Sequence, residues 1–214
     1  MEKVLIFDMD GTLFQTNTIL ELSLHATFNY LREQDMWKGS TPIEKYREIM
    51  GVPLPIVWET LLPSHAIDVR QKANELFHGC LIRNIQNDEG QLYPNVMEIL
   101  AYLKEKKFPI FIASNGQSEY LRTIVSHYRL DRWVTETFSI EQIESQKKSD
   151  LVAIILEKYQ FMKGAVVGDR LSDIEAAKCN GLLAIGCRFD FAQEEELKKA
   201  DVIIDDLLEL KGFL

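Results

Sequence analysis

Cysteine is scarce: three in 214 residues, Cys80, Cys179 and Cys187, an odd number with no C-x-x-C spacing. That argues against a disulfide scaffold and a zinc ribbon, and a chain of this length buries enough surface to need neither. Long apolar runs are missing as well. Stretches such as Val4 to Phe7 and Pro109 to Ala113 fall far short of the ~18 residues of a membrane span. Positive charge is in deficit, with 24 Lys and Arg against 33 Asp and Glu and a formal net charge of −9. So acidic a chain is a poor partner for nucleic-acid phosphates. No signal peptide is expected, because Glu2 and Lys3 run straight into a strand-like segment. Internal repeats and low-complexity segments are absent too. What these absences leave is a soluble globular protein of a reducing compartment, expected in the cytoplasm, with one domain or one domain plus an inserted module.

What is present is alternation. Val4-Leu5-Ile6-Phe7 is a continuous apolar run of the kind that suits a strand buried on both faces, and similar short runs recur at 109–113, 165–167, 183–185 and 202–204. Between them lie segments with helical spacing: Val96, Ile99, Leu100 and Leu103; Leu121, Ile124 and Val125; Leu151, Ile154 and Ile155. This predicts an α/β fold, a Rossmann-like parallel sheet covered by helices on both faces. Residues 17–87 break the rhythm. They offer no strand candidate, only apolar stripes such as Leu20, Leu24, Phe28 and Leu31, and Ala73, Leu76, Phe77 and Cys80, punctuated by Pro42, Pro53, Pro55 and Pro63. We therefore expect a core of residues 1–15 and 89–214, with an all-helical module, 16–88, inserted after the first strand.

Polar residues gather where the expected strands end, and ligands of open parallel sheets bind beyond the carboxyl ends of strands. The first strand delivers Asp8-Met9-Asp10-Gly11-Thr12-Leu13. Two carboxylates this close repel one another, and a hard cation such as Mg²⁺, which takes oxygen ligands and substrate phosphate, meets that need. Residues 109–113 lead into Ser114-Asn115-Gly116, a hydroxyl, an amide and an approachable backbone N–H ahead of a helix start, which suits an anion. Residues 165–167 lead into Gly168-Asp169-Arg170-Leu171-Ser172-Asp173, in which a helical turn would stack Asp169 and Asp173 toward one site. In Lys147-Lys148-Ser149-Asp150, Ser149 reads as a helix cap with Lys148 just outside it. A cation is misplaced at that helix end, so Lys148 is expected to balance nearby anions.

Together these four segments resemble the haloacid dehalogenase superfamily of hydrolases, specifically its small-cap phosphatases of the phosphoglycolate-phosphatase type. Asp8 to Leu13 is similar to that family's first motif, Ser114-Asn115 to its second, Lys148 (or Lys147) to its third, and Gly168-Asp169 with Asp173 to its fourth. The resemblance implies an enzyme, a Mg²⁺-dependent phosphatase of small phosphorylated metabolites, with no nucleic-acid or membrane partner. It also implies the roles. Asp8 is the nucleophile that takes the phosphoryl group, and Asp10 is the general acid and base. Asp8, the backbone carbonyl of Asp10, Asp169 and Asp173 serve the metal, while Ser114, Asn115 and Lys148 hold the phosphate. The helical module corresponds to the family's cap, and within it Arg47 is either a contact for a substrate anion or a surface partner of Glu44 or Glu48. Asp10 points away from halide-releasing relatives, because an oxygen leaving group needs a proton and a halide does not. A sugar-phosphate mutase and a non-catalytic phosphate-binding regulator are the alternative readings.

Overall fold

The computed structural model describes residues 3–213, in two units: Met1–Gln15 with Leu92–Leu214, and Thr16–Gln91. In the first unit the expected strands form β1 (Val4–Phe7), β2 (Ile110–Ser114), β4 (Gly164–Gly168), β5 (Leu183–Cys187) and β6 (Val202–Ile204). A further strand, β3 (Glu136–Ser139), pairs with β2 at the sheet edge. The sequence reading missed it because an edge strand of four residues, with Glu136 and Thr137 only partly buried, has no apolar run to announce it.

All five pairings are parallel, in the order β3-β2-β1-β4-β5-β6. This is the order of a doubly wound fold, which reverses direction between β1 and β4 and leaves a crevice outside their carboxyl ends. Register places Leu5 opposite both Ile110 and Ala165, so Asp8 and Asp169 leave neighbouring strands within one residue of the same level. β1 is wholly buried and its side chains alternate between faces. Val4 and Ile6 join Phe111, Ala113, Val166 and Ala184 in one apolar layer. Its cover is α7 (Lys148–Tyr159), through Leu151, Val152 and Ile155, and α8 (Leu171–Cys179), through Ile174, Ala176 and Ala177. Two more helices follow: α5 (Val96–Glu105) buries the whole face read from its spacing, and α6 (Ser118–His127) buries Leu121 and Ile124 together with Tyr120, while Val125 is half-buried. The single-turn α9 (Glu194–Leu197) follows β5.

The second unit contains α1 (Asn17–Glu33), α2 (Ile43–Glu48), α3 (Leu54–Leu61) and α4 (Ile67–Gln86). Its core joins the α1 stripe Leu20, Leu24, Phe28 and Leu31 to Ala73, Phe77 and Cys80 of α4. Trp58 of α3 fills the middle, edge-on to Phe77 with ring centroids 5.6 Å apart, and its indole N–H donates to Asn74 Oδ1 at 2.9 Å. A buried indole needs such an acceptor. Trp37 packs edge-on against Phe28. Among the described residues no helix is long and apolar enough to cross a membrane.

Candidate active site

The crevice end of the sheet collects three buried carboxylates. Asp8, directly after β1, Asp169, directly after β4, and Asp173, in the first turn of α8, each offer an oxygen within 4.8 Å of the others. Each is oriented by a separate contact. Asp8 Oδ1 accepts from the Met9 backbone N–H at 2.8 Å. Asp169 Oδ1 accepts from the Thr12 hydroxyl at 3.2 Å. Asp173 Oδ2 accepts from the Arg170 backbone N–H at 3.1 Å, so the same carboxylate that closes the start of α8 also faces the cluster.

One buried cation meets them. Lys148 Nζ lies 2.9 Å from Asp8 Oδ1 and 2.6 Å from Asp173 Oδ1, with all three side chains almost fully enclosed. Lys147 is exposed. Here the local expectation needs correcting, because α7 starts at Lys148 itself and Ser149 is not its cap. The helix begins two residues earlier than expected, and the Lys148 side chain is buried where two carboxylates compensate for its poor position at a helix N-terminus.

Glycine is required at two points. Gly11 has φ +76°, and a Cβ there would come within 2.5 Å of Asp169 Oδ2. A Cβ on Gly168 would come within 2.2 Å of the Asp173 carboxyl carbon. The chain thus gives up side chains where its backbone crosses behind the acids.

Charge in the cluster does not balance. Three carboxylates face one ammonium, and the guanidinium of Arg170 is turned to Glu196, with Nε 2.9 Å from Oε2. Burial, reinforced by Asp173 and Asp10 and opposed by Lys148, pushes the Asp8 carboxyl up to about 7. Burial, then Asp173 and Asp8, holds Asp169 well above the usual carboxylate range. For Lys148 burial acts downward, but Asp173 and Asp8 outweigh it and raise the ammonium above its ordinary value. Asp169 Oδ2 is buried and has no hydrogen-bond partner among the described residues. An orphaned carboxylate oxygen, an excess of buried negative charge and an all-oxygen donor set fit a hard divalent cation.

The phosphate-side candidates stand beside this cluster. Ser114 ends β2, next to β1, and its Oγ accepts from the Gly116 N–H at 3.0 Å. Ser139, at the end of β3, donates to Gly116 O at 2.7 Å and so braces the same loop. Asp10 is approached by that loop, since a Cβ on Gly116 would lie 3.4 Å from its Oδ2. Its Oδ1 accepts from the buried Tyr120 hydroxyl at 2.5 Å. Arg47, in the helical unit, is paired with Glu21 and with Glu44 Oε1 at 2.8 Å, and it also donates to Asn17 Oδ1 at 3.2 Å. Glu48 pairs with Lys45 instead.

Sequence reading gave no role to Thr12, Tyr120, Ser139 or Glu196. Thr12 sits inside a quoted motif, but its partner is 157 residues away. Tyr120 lies next to the face read from Leu121, Ile124 and Val125 but is not part of it. Glu196 is mostly buried and accepts from both Arg170 and the Leu171 N–H.

With this geometry in place, comparison with known proteins is direct. The family model for haloacid dehalogenase-like hydrolases matches residues 5–187, and the chain belongs to that family. A phosphoglycolate phosphatase of Vibrio parahaemolyticus is 25% identical over 97% of this chain and 94% of its own length. Within the family the chain is therefore a hydrolase of the phosphatase kind, similar to phosphoglycolate phosphatases. Solved structures agree in fold. A protein of Haemophilus somnus described as a predicted phosphoglycolate phosphatase superposes with TM-score 0.87 at 20% identity, covering 99% of this chain and 97% of that one. A mutant of CbbY from Rhodobacter sphaeroides, solved with xylulose-(1,5)bisphosphate, gives 0.83 at 18% identity, covering 98% and 96%.

Proposed function

We propose that this chain hydrolyses phosphomonoesters of small metabolites, passing the phosphoryl group through Asp8, with Mg²⁺ held by Asp8, Asp169, Asp173 and the backbone carbonyl of Asp10. The observation that carries this reading is the buried acid cluster at the strand-order reversal, short of positive charge and flanked by Asp10, Ser114 and Lys148. A bound Mg²⁺ supplies charge that neutralises the phosphoryl oxygens and the carboxylates around them.

The residues divide the remaining work. The Asp8 carboxylate attacks phosphorus. As its oxygen–phosphorus bond forms, the bond to the ester oxygen breaks and the electron pair leaves with that oxygen. Asp10 gives the departing oxygen a proton. Water then attacks the aspartyl-phosphate, Asp10 takes the proton back, and release of inorganic phosphate restores Asp8. An ammonium has three donors. Two on Lys148 engage Asp8 and Asp173, and the third is directed to a phosphoryl oxygen in this reading. The Ser114 hydroxyl and the Asn115 backbone N–H hold the others, so catalysis rests on positioning and charge neutralisation.

The test is phosphate release with Mg²⁺ from a panel headed by p-nitrophenyl phosphate and phosphoglycolate and extended to sugar phosphates, nucleoside monophosphates and pyrophosphate. Turnover by the wild type and its loss in Asp8→Asn are expected. A wild type inert across the panel rejects the reading.

A further inference from the structure

Tyr120 stands out because its hydroxyl, on a side chain otherwise packed into the core, ends on the acid–base residue of the proposed reaction. The residue is 4% exposed and sits in the first turn of α6. Its ring is fixed from two sides. Phe14 meets it edge-on with centroids 6.5 Å apart, and a Cβ on Gly116 would come within 3.1 Å of its Cδ1. So confined, the phenol O–H reaches Asp10 Oδ1 at 2.5 Å. Asp10 itself lies beyond β1 in the turn where Gly11 N–H donates to Phe14 O, so the two partners come from segments 110 residues apart.

We propose that Tyr120 is a positioning residue that decides which oxygen of Asp10 carries the catalytic proton. A hydroxyl that donates to Oδ1 makes Oδ1 the acceptor oxygen of the carboxylic acid. The acidic proton then belongs on Oδ2. That oxygen is turned toward Gly116, the loop that starts with Ser114 and Asn115 and is assigned to the phosphoryl group above. Without the phenol, Oδ1 loses this donor, and because the carboxyl torsion is broad and two-fold the proton spends more of its time on the wrong side. The inference rests on the phosphatase reading and adds a residue that this reading does not use.

Asp10 could instead serve Tyr120, as the acceptor that any buried phenol needs. The two roles differ in what depends on the leaving group. Protonation matters for an alkyl ester, whose alkoxide is a poor leaving group, and hardly at all for p-nitrophenolate. The experiment compares wild type and Tyr120→Phe by kcat/KM, which stops at the first irreversible step, with glycerol 2-phosphate and with p-nitrophenyl phosphate. General acids contribute about 10²–10⁴-fold, and misplacing one forfeits part of that. We expect kcat/KM for the alkyl ester to fall about tenfold and that for the aryl ester to change less than about twofold. The ratio of the two is independent of how much of the variant is folded. In an Asp10→Asn background the Tyr120→Phe change should leave the ratio where it was. Equal losses with both esters, or no change with either, overturn the Tyr120 assignment alone. If the wild type does not turn over glycerol 2-phosphate, the alkyl ester is the panel member that it does turn over, and a wild type inert across the whole panel overturns the phosphatase reading and this proposal with it.

Discussion

Removing divalent cation from this protein should cost little stability in acid and much more in mild alkali. In the cation-free chain, burial and its acidic neighbours move the Asp8 carboxyl from 3.8 up to about 7. A raised folded-state value means that the native state binds the proton more tightly than the unfolded chain does. Its contribution to stability is fully present below 3.8 and is lost as pH rises through about 7. The gap is worth about 4 kcal/mol at 1.36 kcal/mol per pK, and Asp169 acts in the same direction. Lys148 adds no slope in this window, because its raised value matters only above its ordinary range near 10.5. A cation that binds the ionised acids restores stability where they are ionised. At about a hundred times its dissociation constant it contributes about 2.7 kcal/mol, or about 5–10 °C in Tm for a chain of this size. The assay is thermal unfolding with EDTA and with Mg²⁺, at about pH 5 and about pH 8, comparing the Mg²⁺-dependent gains. Groups that titrate without touching the cation cancel in that difference. A gain of about 5–10 °C at the higher pH and under about 2 °C at the lower is expected. An equal gain at both, a larger gain in acid, or no gain at either refutes the reasoning.

Two substitutions probe the same cluster from other sides. Lys148→Met leaves three buried carboxylates without their one ammonium, and loss of one partner from a buried pair costs about 3–5 kcal/mol; urea unfolding in EDTA should show it, with Mg²⁺ restoring part. Gly11→Ala combines a left-handed backbone with a Cβ inside the Asp169 carboxylate, so a loss of about 1–3 kcal/mol should accompany a weakened Mg²⁺-dependent gain in Tm. A variant that keeps the full gain shows that Gly11 does not shape the cluster.

Much of the sheet was legible because buried parallel strands are continuous apolar runs, and β1, β2, β4, β5 and β6 each present one. β3 was not, since half of it faces solvent and its strand character comes from pairing with β2. The order of strands is absent from local sequence. It follows from which helices cover which face, and so the adjacency of Asp8 and Asp169 could be expected only from the general habit of such sheets. Asp8, Asp169 and Asp173 announced themselves as acids at strand ends. Lys148 was noticed for its electrostatic misfit, but the start of α7 was misplaced. Ser149 is a good cap by local preference, whereas two carboxylates from distant segments decide where that helix begins. Tyr120 and Glu196 were invisible for a related reason. Each looks ordinary in its own helix, and its meaning lies in a partner on another element.

The central position of β1 has a consequence for how the chain assembles during synthesis. Leu5 is made well before its two sheet partners, Ile110 and Ala165, which emerge 105 and 160 residues later. At about 5–20 residues per second the second wait lasts roughly ten to thirty seconds. Throughout it a four-residue apolar strand has no completed sheet to enter, while the helices of the inserted unit are already out. Contacts this distant in sequence also slow the final closure. The acids that flank β1 and β4 therefore meet only once most of the chain has been made. A nascent or truncated chain that stops before β4 carries Asp8, Asp10 and Lys148 but lacks Asp169 and Asp173, so the acid cluster is complete only once α8 has been made.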